Sequence, residues 1–78
     1  MFHYTICDAY ARDIFKKQCN ALESNIPNLK KELDIEDVDS TQTRIYQLGN
    51  KSITVKNSYP IGAVYIDAEI DIMPFFRK

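Results

Sequence analysis

Residues 42–57 read QTRIYQLGNKSITVKN. Two runs rich in β-branched and aromatic residues flank Gly49 and Asn50. Glycine at the first central position of a two-residue turn supplies the positive φ that a tight hairpin needs. Pairing across that turn puts Tyr46, Leu48, Ile53 and Val55 on one face. Thr43, Gln47, Ser52, Thr54 and Lys56 fall on the other, with Ile45 the one misfit. A hairpin with one apolar face must be widened and covered to be stable, and the flanking segments supply both.

Downstream, residues 62–76 read GAVYIDAEIDIMPFF. Val64, Ile66, Ala68, Ile70 and Ile72 share one parity, and Tyr65, Asp67, Glu69, Asp71 and Met73 the other. The alternation predicts a long strand over 63–73, ended by Pro74, with Val64 and Ile66 opposite Val55 and Ile53. Its outward face would carry a row of three carboxylates, Asp67, Glu69 and Asp71.

Upstream, MFHYTI at the N-terminus alternates Phe2, Tyr4 and Ile6 against His3 and Thr5 and predicts a first strand. Ala11, Ile14, Phe15, Cys19, Leu22 and Ile26 then recur at three and four residues, the stripe of a half-buried helix to about Ser24. Asp8 is the expected N-cap for a start at Ala9, with Thr5 as the competing cap. Pro27 disfavours helical geometry at Ile26 and ends the helix. NLKKEL places Leu29 and Leu33 one turn apart, so residues 27–33 read as a second, short helical piece, followed by an acidic connection, DIEDVDST. The expected fold is α+β, in the order β-α-(α)-β-β-β, an antiparallel sheet with helices covering one face.

The chain of 78 residues is one domain, residues 1–78. An apolar fraction of 45% and a charged fraction of 27% are those of a folded globular chain. A core of this size seldom supplies more than about 3–5 kcal/mol, so pairing into a homodimer is expected, helped by the PFF segment of the tail MPFFRK. The net charge of −1 hides an excess of five acidic over one basic residue in 32–50. No segment is basic enough for a nucleic-acid arm. No signal sequence or membrane span is apparent. Cys7 and Cys19, about 18 Å apart along a helix, are too distant for a disulfide. Two reduced thiols suit a cytoplasmic location.

The carboxylates are the candidates for function. On a strand Asp67 and Asp71 would lie about 13 Å apart, too far to share one metal ion. A second acidic set comprises Glu32, Asp34, Glu36, Asp37 and Asp39. As a calcium loop counted from Asp34 it fails, with Asp39 where glycine is needed and Ile45 where a bidentate Glu is needed. His3 stands alone, which removes any multi-histidine metal site, and no phosphate loop or nucleophile motif is present. Arg12, Lys16, Lys17, Lys30 and Lys31 form a basic patch without exposed aromatic partners, because Tyr10 and Phe15 read as core, so nucleic acid is disfavoured. The expectation is a small non-enzymatic binding protein of the inhibitor, immunity-protein or antitoxin type, without cofactor. It would dock a larger basic protein through Asp67, Glu69, Asp71, Glu36, Asp37 and Asp39. The alternative is a small dimeric metal-dependent nuclease or nucleic-acid-binding protein.

Overall fold

The computed structural model describes residues 1–76. Five strands and one α-helix follow in the order β1 (Phe2–Cys7), α1 (Arg12–Asn25), β2 (Lys30–Glu36), β3 (Gln42–Leu48), β4 (Lys51–Ser58) and β5 (Ala63–Ala68). A 3₁₀ turn at Met73–Phe75 closes the described chain. The strands form one antiparallel sheet in the order β1-β5-β4-β3-β2. The α+β class is as expected. Among the described residues no helix is long and apolar enough to cross a membrane.

The hairpin at the centre forms as its sequence demands. Leu48 pairs with Lys51 across Gly49 and Asn50, and Gly49 has φ +63°. Tyr46, Ile53 and Val55 are fully buried, while Ile45 lies on the opposite face. The next ladder is offset by two residues from expectation: Val55 faces Ile66, Asn57 faces Val64 and Ile53 faces Ala68. Parity survives a shift of two, so the same side chains still reach the core.

The expected helical piece at 27–33 is a turn at 27–28 followed by the strand β2 from Lys30. Leu33 and Ile35 alternate with Glu32, Asp34 and Glu36, a period of two that the one-turn spacing of Leu29 and Leu33 disguised. Asn28, at φ +63°, turns the chain after Pro27 and delivers β2 to the edge of β3. Glu32 is the extra residue of a bulge there, since Lys31 pairs with Tyr46 and Leu33 with Ile45. Every residue of β2 is exposed.

The sheet therefore has one helix to cover five strands. Strands about 4.8 Å apart make it roughly 19 Å wide, whereas a helix with its side chains is about 10 Å across. The predicted stripe is the right one: Phe15, Cys19, Leu22 and Ile26 are buried against Tyr46, Ile53, Val55, Val64, Ile66 and Ala68. On the β1 flank Phe75, Phe76 and Ile72 fill in beside the helix, so the tail is tucked as far as it is described; Arg77 and Lys78 lie outside the described residues. On the β2 flank charged side chains take over.

The helix starts at Arg12, three residues later than expected, and neither Asp8 nor Thr5 caps it. Ala11 occupies the cap position with no side-chain oxygen to offer. Asn57, wholly buried on β4, serves instead: its Oδ1 accepts the Ala11 amide at 3.0 Å and its Nδ2 donates to Gln42 Oε1 at 2.9 Å. One amide thus ties helix, β4 and β3 together and satisfies an end group that would otherwise be orphaned. Both cysteines are free, as expected, Cys19 buried and Cys7 half-buried.

Candidate functional site

The carboxylate row does not exist as a row. β5 ends at Ala68, and the chain bends at Glu69, so Asp67 alone of the three stands on the strand. Each carboxylate is engaged by a different neighbour. His3 on β1 donates from Nδ1 to Asp67 Oδ1 at 2.6 Å, its ring stacked at a tilt on Tyr65. Glu69 Oε1 accepts both the hydroxyl and the amide of Ser52, at 2.8 and 2.7 Å, and these two bonds hold its carboxyl below the usual range. Asp71 Oδ1 accepts the Tyr4 hydroxyl at 2.6 Å and the Met73 amide at 3.1 Å, starting the 3₁₀ turn. Burial, then the bond to Asp71, pushes the Tyr4 hydroxyl up. Among the described residues no three or more His, Cys, Asp or Glu side chains gather where they could hold a metal ion.

The second acidic set divides between a flank and an end of the sheet. Asp34 and Glu36 face the helix side with Arg44 and Gln42, their neighbours in the ladder. Arg44 is the hub of that flank. Its side chain is only 18% exposed, and its guanidinium pairs with Asp34 at 2.8 Å and Glu23 at 3.5 Å and lies over the Phe15 ring at 5.8 Å. Burial works against charging Arg44, yet its contacts with Tyr46 and Asp34 outweigh that effect and raise its affinity for the proton. Tyr46 sends its hydroxyl to Glu23 at 2.6 Å. Burial first, and that bond second, push the hydroxyl well above the ordinary tyrosine value. Arg12 joins the array through Glu36 at 2.6 Å and Tyr10 at 2.9 Å.

Asp37 and Asp39 occupy the β2–β3 turn, at the end of the sheet where three connections meet. In this antiparallel order the exit from β1, the β2–β3 turn and the β4–β5 turn all emerge together, because Cys7, Glu36, Ser58 and Ala63 end or begin their strands side by side. The three are bonded to one another. The Tyr10 hydroxyl donates to the Ser40 carbonyl at 2.8 Å, and the Tyr59 amide donates to Thr41 Oγ1 at 3.2 Å. Tyr10 and Tyr59 meet edge to face, centroids 5.2 Å apart. Within the β2–β3 turn, Asp39 Oδ1 accepts the Thr41 amide, and the Asp37 amide donates to the Thr41 carbonyl. Ser40 takes a left-handed φ of +72° to make the reversal.

Between these bonds three apolar side chains are left bare. Val38 is fully exposed at the tip of its turn, and Tyr59 and Ile61 are 61% and 68% exposed on the adjoining one. Asp37 and Asp39 flank Val38 in its turn, Asp8 lines one pocket with Ile61, and all three acids are exposed. Sequence reasoning found Asp37 and Asp39 but missed Val38, Tyr59 and Ile61. The signal was available: valine inside an acidic turn and YPIG between strands place large apolar residues where no strand face can bury them.

The predicted basic patch also divides. Arg12, Lys16 and Lys31 line one open pocket between α1 and the β2–β3 edge, and Lys17 and Lys30 do not. Tyr10, expected in the helical stripe, precedes the helix and is only half-buried. No family model, no curated protein and no solved structure matches the chain.

Proposed function

We propose that this is a small non-enzymatic binding protein that inhibits or regulates a larger protein with a basic surface. It engages that partner with the loop end of its sheet rather than with the strand β5. The observation that carries the reading is the combination of bonded connections and bare apolar tips. Val38, Tyr59 and Ile61 stand exposed among Asp8, Asp37 and Asp39 on three segments fastened together by Tyr10, Thr41 and Tyr59. Exposed apolar residues contribute nothing to stability, and pre-fixed loops lose little entropy when they dock. An apolar centre with an acidic rim complements an apolar pocket inside a basic surface, and the rim accelerates encounter at low salt. Asp67, Glu69 and Asp71 serve internal bonding in this reading, and Glu36 is neutralised by Arg12.

The test begins with the partner that the tagged protein retains from a native lysate, purified and titrated directly. Val38→Asp and Ile61→Asp, at side chains with few internal contacts to lose, should each weaken binding about tenfold or more. Asp67→Lys should leave the affinity unchanged. Loss of binding with Asp67→Lys and Glu69→Lys but not with the loop-end variants would return the docking surface to β5. A retained nucleic acid in place of a protein would favour the runner-up reading.

A further inference from the structure

The loop end leaves a second polar feature unexplained. Between α1 and the β2–β3 edge lies an open pocket of about 430 Å³. Arg12, Lys16 and Asn20 project into it from successive turns of one helix face, and Lys31, Gln42 and Arg44 from the sheet. Two of its four cations already have carboxylate partners, Arg12 in Glu36 and Arg44 in Asp34 and Glu23, although the buried Arg44 Nε has no hydrogen-bond partner. Lys16 and Lys31, on opposite walls, have no carboxylate partner among the described residues. The amides add to the imbalance. Gln42 commits its oxygen to Asn57 and so keeps its NH₂ free, and the Asn20 side chain makes no internal hydrogen bond among the described residues. Glu23 is the one acid in the lining, and its Oε2 takes both the Tyr46 hydroxyl and Arg44, which offsets most of its charge. The pocket therefore offers donors on two sides and only two unengaged acceptors, Glu23 Oε1 and the Asn20 side-chain oxygen, the latter of which turns outward when its NH₂ donates.

We infer that this pocket is a binding site for a phosphoryl group, held between Lys16 and Lys31 and hydrogen-bonded by Asn20 and Gln42. Two ammonium groups and two amides offer more donors than a single carboxylate can accept, whereas a phosphate ester or diphosphate has the oxygens to use them. The volume admits the group together with part of whatever carries it. The site is separate from the loop end and stands or falls independently of the docking proposal.

Inorganic pyrophosphate is the probe, titrated at constant ionic strength into the full chain and followed by amide chemical shifts. The expected result is saturation with Kd below about 1 mM, shifts confined to Lys16, Asn20, Lys31, Gln42 and Arg44, and a loss of about fivefold or more in Lys16→Gln and in Lys31→Gln. Lys17→Gln, which removes the same charge from the neighbouring face of α1, should bind as the unaltered protein does. Adenosine diphosphate and a soluble inositol phosphate, run alongside, identify the parent ligand by which binds tighter; equal affinity makes the phosphoryl group itself the recognised unit. Failure to saturate by about 10 mM would overturn the site. So would a Lys17→Gln loss as large as that of Lys16→Gln, since it would reduce the effect to general positive charge.

Discussion

Replacing Tyr46 with phenylalanine should produce stability curves that cross as pH rises. The ring is fully buried on β3 and its hydroxyl donates to Glu23 at 2.6 Å. At neutral pH the variant loses that bond and the hydroxyl's contact with Arg44, while phenylalanine keeps the packing and Arg44 still faces Glu23. The loss is about 1 kcal/mol, which for a chain of this length is a fall in Tm of about 6 °C. The hydroxyl is pushed up in the folded protein by burial and by Glu23. A raised folded value means that stability is fully present below the unfolded tyrosine pKa of about 10 and is lost as pH rises from there toward the folded value. The loss approaches about 1.4 kcal/mol per pH unit for one such group, and the phenylalanine of the variant has no proton to release. The advantage of Tyr46 should therefore vanish between about pH 10 and 11, and above the crossing the variant should be the more stable. Tyr4, bonded to Asp71, is common to both proteins and shifts both curves together, whereas Cys19 interacts with the Tyr46 hydroxyl and is replaced by Ala in both backgrounds. Urea unfolding followed by circular dichroism at half-unit steps from pH 7 to 11 measures the difference directly. Curves that stay parallel across that range would refute the burial of a neutral phenol against Glu23.

Two further outcomes follow from single side chains. Asn57→Ala should cost about 1–3 kcal/mol in denaturant melts, because it removes the partners of the Ala11 amide and the Gln42 oxygen at once, and Asn57→Asp should be less stable at pH 7 than at pH 4, because it buries a carboxylate against the Gln42 oxygen. Under native conditions a thiol reagent should modify Cys7 readily and Cys19 only through unfolding, since Cys19 is fully buried and burial raises its pKa; equal rates would contradict the packing of α1 on the sheet.

What the sequence could convey depended on whether a residue's fate was set by near neighbours. The central hairpin was legible because Gly49 fixes the turn and parity fixes the faces, whatever the register. The stripe from Phe15 to Ile26 was legible because its period is independent of what it packs on. β2 was not. Its lysines and acids have little strand propensity of their own, and Lys30–Glu36 becomes a strand because β3 offers it an edge. The last strand was overextended for a related reason: 69–73 keeps the alternation, but Glu69 is captured by Ser52 and Asp71 by Tyr4, and those partners are distant in sequence. The helix cap was hidden in the same way, because Asn57 lies 46 positions from the amide it serves. Of the site, the acids of the β2–β3 turn were visible as charges. Their apolar companions were not, because only the topology puts 38, 59 and 61 at one end.

The bareness of β2 has a kinetic consequence. A strand that buries no residue is held by its ladder and a few surface ion pairs, so its opening free energy is a fraction of that for unfolding the whole domain. While closed, it protects the sheet: its alternating charges and the bulge at Glu32 make a poor template for another strand. Once it peels away, the edge passes to β3, where Thr43, Ile45 and Gln47 form an outer row without charge or proline. The species most prone to join edges with other copies is then a folded protein with one strand detached. Its rate of association is governed by the opening of β2, long before the core itself gives way.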